Sequence, residues 1–162
     1  MAMGRMIAAA MLLTYCVVVS GHYEGNPFVV SGRVYCDTCR AGFETDVTTD
    51  IPGAMVRIEC KDREGQQLKY SIEGVTNSNG TYNIMVIGDR GDDICDVVPI
   101  SSPQSDCAES DFRRNCARVI LTNNNGVISN NRFANALGFL RNEPMPGCAE
   151  LLQKYKENDD DA

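Results

Sequence analysis

Two cysteines three residues apart, Cys36 and Cys39, are the residues of this chain whose type and spacing come closest to chemistry. A C-x-x-C pair can supply half of a zinc site or exchange thiols with disulfides. The first use needs two more ligands at comparable spacing. There is no second C-x-x-C, and the single histidine, His22, lies near the start of the chain. The second use needs the pair at a helix N-terminus inside a βαβ unit, whereas the residues before Cys36 alternate like a strand. The pair therefore reads as part of a disulfide framework rather than as a reactive centre.

Other residues that could do chemistry are equally bounded. Asp89, Asp92 and Asp93 crowd one short segment, but the EF-hand spacing and its closing bidentate glutamate are missing. Arg90-Gly91-Asp92 is the tripeptide of animal adhesion ligands, and turn chemistry accounts for it. Nucleophilic catalysis lacks both a G-x-S-x-G elbow and a second histidine to act as base. An iron centre built on histidine and tyrosine fails for the same shortage of histidine, which leaves Tyr35, Tyr70 and Tyr82 as core or interface residues. No motif brings two carboxylates together for glycoside hydrolysis. The expectation is a protein without catalytic residues, metal or cofactor. One modification signal stands out: Asn79-Gly80-Thr81 is an N-glycosylation acceptor sequence, and Asn79 falls at a turn tip.

Compartment follows from the first residues. Arg5 gives a short basic start, residues 6–19 are almost wholly apolar, and Val18 and Ser20 are the small residues a signal peptidase accepts. Residues 1–20 read as a signal peptide cut after Ser20 or Gly21, too short for a comfortable membrane span. Cleavage removes Arg5 and Cys16, leaving seven of the eight cysteines in a secreted chain. The full chain carries a net charge of −7, which offers no electrostatic reason to bind nucleic acid or an anionic membrane.

The elements that must hold these residues are short, β-branched and punctuated by turns, the pattern of one all-β domain over residues 28–155. Strands are predicted at 28–36, 54–60, 67–75, 81–87, 95–100, 116–122 and 131–141. In the second of these, Ala54, Val56, Ile58 and Cys60 share the apolar face. Asn79-Gly80 marks a hairpin between the third and fourth strands. Residues 101–115 form an irregular connection. Residues 148–155 could make two helical turns with Leu151 and Tyr155 on one face, and the acidic tail 156–162 is expected to be disordered. About seven strands at this spacing predict an antiparallel barrel or sandwich. Positions i and i+3 of a strand face opposite ways, so Cys36 and Cys39 should reach different partners. Beyond that, choosing the odd cysteine and a connectivity leaves on the order of a hundred pairings.

Two resemblances add to this reading. Gly32-Arg33-Val34, Pro52-Gly53-Ala54 and Asn79-Gly80-Thr81-Tyr82, with their neighbours, resemble the first four strands of transthyretin-like β-sandwiches. The block from Gly32 through Tyr35-Cys36-Asp37-Thr38-Cys39 to Arg40 resembles the signature of the pollen Ole e I-like proteins. Ile51-Pro52-Gly53-Ala54, Cys60-Lys61-Asp62, Leu137-Gly138-Phe139 and Pro146-Gly147-Cys148-Ala149 extend the likeness over the rest of the chain. The family's pairing implies the bridges Cys36–Cys107, Cys39–Cys148 and Cys60–Cys95. Cys116 departs from that framework and is out of phase with Val119 and Leu121; it is expected to be unpaired, with an intermolecular bridge as the alternative. The resemblance also implies an extracellular plant protein of pollen and its wall, an allergen, acting in hydration and pollen-tube growth. Its expected partner is a cell-surface receptor kinase, or else a cell-wall component if it is a structural or glycan-binding module. A monomer is expected.

Overall fold

The computed structural model describes residues 26–160, so the predicted signal peptide, its predicted cleavage site and His22 lie outside the described residues. One long strand organises the rest. β1 (Phe28–Asp37) alternates Phe28, Val30, Val34 and Cys36 into the core against Val29, Ser31 and Arg33 outside. Its first half is flanked by β5 (Thr81–Val86) and β9 (Asn131–Phe133), its second half by β2 (Thr49–Asp50) and β10 (Leu137–Leu140). β7 (Glu109–Ser110) pairs with the far side of β10, completing a six-stranded sheet. The facing sheet runs β4 (Leu68–Val75), β3 (Met55–Lys61), β6 (Ile94–Ser101), β8 (Ala117–Val119). Helix α1 (Cys148–Asp160) closes the chain.

The core lies between the sheets. β3 contributes Val56, Ile58 and Cys60, with Ala54 just before it, all completely buried; Arg57 and Glu59 point away, and Arg57 pairs with both Glu59 and Glu73. Opposite them stand Tyr82, Ile84 and Val86 of β5 and Leu137 and Phe139 of β10. Each of the seven predicted strand segments carries a strand, in an all-β fold with three disulfides and a short C-terminal helix.

The differences follow from how the segments pair. The segment 131–141 is two strands rather than one. β9 opposes Ser31 with Phe133, whereas β10 opposes Val34 with Leu137, so the chain slips one residue at 134–136. Both run parallel to β1, so the six-stranded sheet is mixed, not purely antiparallel. The Asn-Gly turn is present, with Gly80 at φ 66°, but it does not join a hairpin. β4 pairs only with β3, and β5 pairs with β1, so the turn is an arch between the two sheets. The arch follows from where its ends are tied: Thr76 N–H bonds to Ala54 O on one sheet, and Val34 N–H bonds to Gly80 O on the other. The connection 101–115 contains β7, and the loop before Ile51 contains β2. Finally, the backbone of α1 stays helical through Asp160, where disorder was expected from residue 156.

Candidate interaction surface at the loop end

The end of β1 builds the most elaborate part of the molecule. β1 stops at Asp37, so Cys39 lies in a turn and the alternation argument for its partner does not apply; the turn itself sends the two sulfurs apart. Asp37 is completely buried, and its carboxylate is the reason the turn holds. One oxygen accepts the Cys39 N–H at 3.2 Å and the other the Gly42 N–H at 2.6 Å. A buried carboxylate is tolerable only with such partners. The turn requires a left-handed residue at Arg40, φ 54°, an unusual conformation for any residue but glycine. Arg40 then reaches across to Glu109 with two nitrogens, at 2.7 and 2.8 Å, and to the Arg141 carbonyl at 2.6 Å. The hydrogen bond from Arg40 holds the Glu109 carboxyl below the usual carboxylate range.

A second buried carboxylate clamps the same loop from the other side. Asp111 accepts both the Arg113 N–H and its Nε through one oxygen, while its other oxygen has no protein partner. The Arg113 guanidinium occupies the space that a side chain at Gly42 would need, and Arg114 donates to the Gly42 carbonyl at 3.3 Å. Tyr35, under this clamp, packs against Gly138; burial pushes its phenol up, with Arg114 opposing.

On this frame sits a groove. Thr38 accepts the Met145 N–H and donates to the Val47 carbonyl, so both the 45–48 loop and the start of α1 hang on the end of β1. The Cys39–Cys148 bridge, with Cα atoms 5.4 Å apart, fastens the first residue of the helix to the same turn. Between loop and helix lies an opening of about 270 Å3 with an apolar floor of Val47, Met145, Pro146 and Leu151 and charged walls at Glu150 and Lys154. It continues past Asp46 to Tyr155, whose hydroxyl accepts the Asp46 N–H and whose ring meets Phe43 edge-on at 5.5 Å. The arrangement can bind an extended apolar segment with mixed charges; it assembles no acid–base or nucleophile–base pair.

The residues singled out in the sequence are distributed rather than gathered. Cys36 is bonded to Cys107 and Cys39 to Cys148, both at the loop end, while Cys60 is bonded to Cys95 across directly opposed positions of β3 and β6. Cys116 is the free cysteine among the described residues and is exposed, one position before β8. Asn79 is exposed on the arch. Arg90 lies over the Tyr70 ring at 4.2 Å, so the Arg90-Gly91-Asp92 tripeptide does not present its guanidinium. Burial pushes the Asp89 carboxyl up, but hydrogen bonds from Asn123, Gly91 and Thr122 outweigh it and hold the group low. Among the described residues no three of His, Cys, Asp and Glu converge on a metal-sized site, and no helix is long and apolar enough to cross a membrane.

Sequence reasoning passed over Asp37, Asp111 and Arg132. Arg132 is buried on β9 without a carboxylate partner. Its guanidinium donates to the carbonyls of Ile120 and Thr122 at 2.8 and 3.0 Å, and to Ser129, while lying over Phe28. It thereby ties the 120–130 loop to β9, beside the start of β1. The position of Asp37 between two cysteines was the one legible signal, because short carboxylates favour turns that accept backbone N–H groups.

The family model described as "Pollen protein Ole e 1 like" matches residues 26–156. Pollen-specific protein C13 of Zea mays is 46% identical over 94% of this chain and 92% of its own length. Protein DOWNSTREAM OF FLC of Arabidopsis thaliana is 44% identical over 93% of each. The crystal structure of the major plantain pollen allergen Pla l 1 superposes with a TM-score of 0.67 at 29% identity, covering 75% of this chain and 99% of that one.

Proposed function

The chain belongs to the Ole e 1-like family of pollen proteins, and on that premise we propose that it is a secreted, non-enzymatic binding module acting in pollen hydration and pollen-tube growth. Its proposed partner is the ectodomain of a cell-surface receptor kinase. The observation that supports this most directly is the groove between α1 and the 45–48 loop. It is apolar below, charged at the rim, and pinned by a disulfide to a turn with two buried carboxylates. A rigid β scaffold presenting such a loop end suits recognition rather than turnover. Removal of a signal peptide at residues 1–20 and glycosylation of Asn79 belong to the same proposal, since both accompany export.

The test is direct binding to pollen receptor-kinase ectodomains, with Val47→Asp and Leu151→Asp placed in the groove floor. Each should weaken binding at least ~10-fold, because a charge would be buried against an apolar surface. Unchanged binding by both variants contradicts the groove as the contact. Retention on arabinogalactan or pectin columns, with no ectodomain bound, would instead favour the cell-wall module.

A further inference from the structure

We propose that the glycan on Asn79 folds back over the outer face of the six-stranded sheet and seats its first sugar ring on Phe133. This rests on the glycosylation reading above and adds where the glycan lies. The outer face is formed by the residues of β1, β5 and β9 that alternate away from the core. In register across it, Asn83 of β5 opposes Ser31 of β1, which opposes Phe133 of β9. Phe133 is 80% exposed, and Met85 on the same face is 57% exposed. Together the two leave apolar surface open on one sheet face.

Beside it runs a shallow groove of about 260 Å3, lined by Ser31, Arg33, Thr81, Phe133, Ala134 and Ala136. That is below the ~300–1,000 Å3 of sites for drug-sized ligands, and suits a single sugar ring. The chemistry also suits one. A flat aromatic face can stack on the C–H face of a pyranose. The Thr81 hydroxyl and the Ser31–Asn83 pair offer polar groups for the ring substituents, beside an Arg33 guanidinium already engaged by Glu44 and Asp50.

The position of the tether selects the occupant. Thr81 is the threonine of the acceptor sequence itself and lines the groove, so the attachment residue Asn79 is two positions along the chain from it. The arch that carries Asn79 is stiff. Asn77 Oδ1 accepts the N–H groups of Asn79 and Thr81 at 2.9 and 3.1 Å, and the Asn77 carbonyl accepts that of Gly80 at 3.0 Å. A side chain at Gly80 would press on Asp50 and the Val34 carbonyl, so the arch lies directly on β1. The glycan therefore starts from a fixed point beside the face it would cover, and ordering it costs less than from a mobile loop.

Three secreted forms decide the matter: the glycosylated protein, the same protein trimmed by an endoglycosidase to its first sugar, and the Asn79→Gln variant. We expect the trimmed form to melt with the intact one and Asn79→Gln to melt about 3 °C lower, with faster amide exchange over β9. Phe133→Ala is tolerated because the ring is exposed, and it should erase the difference between glycosylated protein and Asn79→Gln. An equal drop in the Phe133→Ala background, no drop in the wild type, or a concentration-dependent dimer of Asn79→Gln that covers this face would each overturn the proposal. An intact mass showing Asn79 unmodified sinks the glycosylation reading and the inference with it. A modified Asn79 without coupling to Phe133 sinks the inference alone.

Discussion

Removing the Cys39–Cys148 bridge and removing the Cys60–Cys95 bridge should have different consequences, although loop-closure entropy rates them as nearly equal. Cys39 and Cys148 are separated by 109 residues, which alone would suggest about 4.8 kcal/mol of stabilisation. With the Cys36–Cys107 bridge intact, the shortest closed path runs from Cys39 to Cys36 and from Cys107 on to Cys148, about 44 residues, and the figure falls to about 4.0 kcal/mol. Cys60 and Cys95 close 35 residues, for about 3.8 kcal/mol. Packing separates them. Cys60 and Cys95 are 0% and 2% exposed at the centre of the core, so double alanine substitution also leaves a void between β3 and β6, adding roughly 1–2 kcal/mol. Loss of Cys39–Cys148, by contrast, lets α1 detach locally while both sheets survive, so much of its entropic term is never expressed in global unfolding. In urea unfolding the Cys60→Ala/Cys95→Ala protein should lose about 4–6 kcal/mol. The Cys39→Ala/Cys148→Ala protein should lose less than about 3 kcal/mol, with amide protection lost only in α1 and the 45–48 loop. A larger global loss in the second variant than in the first would refute the argument. It would mean that the helix is part of the cooperative core rather than an appendage on a pin.

Other expectations follow from buried polar groups. Gly32→Ala should destabilise by about 1–3 kcal/mol in thermal unfolding, because the new methyl would overlap the Tyr82 hydroxyl and ring. Tyr82→Phe should be neutral or stabilising by up to about 1 kcal/mol, since that hydroxyl is buried without a partner, and it should relieve part of the Gly32→Ala defect. Arg132→Leu should cost about 2–4 kcal/mol, and Arg132→Lys should not restore it, because one ammonium cannot serve the carbonyls the planar fork reaches. Burial pushes the Tyr82 phenol, and likewise Tyr35, above the usual value near 10. Their contribution is therefore full below that value and falls as pH rises above it, and tyrosinate absorbance from both should appear only together with unfolding. Glu109, held low by Arg40, has the opposite sign: its contribution is present above the normal carboxylate range and disappears as pH falls through its depressed value. Amide exchange should then show the 38–42 turn and β7 loosening at acid pH before the sheets do.

What could be read from the sequence was whatever alternation with period two makes local. The faces of β1, β3 and β8 follow from their own residues: Cys116 lies outside while Ala117, Val119 and Leu121 are buried. The Asn-Gly turn was legible as a turn, because only local φ preferences are involved. Which strands it joins was not, because that depends on β1 offering a free edge to β5 while β3 offers one to β4, and neither fact is local to the turn. The same holds for the break between β9 and β10. Ala134 to Ala136 look like continuous strand until β1, far away in sequence, imposes a one-residue slip. Asp37 and Asp111 were invisible as a pair because their roles appear only when residues 37–42 and 109–114 meet.

That meeting explains how one strand can govern both faces of the molecule. The first half of β1 exposes its outer side chains, leaving Phe133 and the groove beside Thr81 open to the arch that bears Asn79. The second half is buried on both faces: Val34 and Cys36 point into the core, and Tyr35 and Asp37 point under the 109–114 loop. A fully buried strand end needs partners for its backbone, and the two carboxylates, Arg40 and Arg114 supply them to the turns that follow, leaving the Tyr35 hydroxyl unpartnered. The loop end is therefore as fixed as the core, even though little of it is regular secondary structure. Substituting Asp37→Asn tests this. Asparagine keeps one acceptor but turns an N–H2 toward either the Cys39 or the Gly42 N–H. The turn should open, Arg40 should lose its alignment with Glu109, and the groove should lose its floor while the sheets stay folded. Retained groove binding with an unaltered melting temperature would show that the turn is held by the disulfides alone.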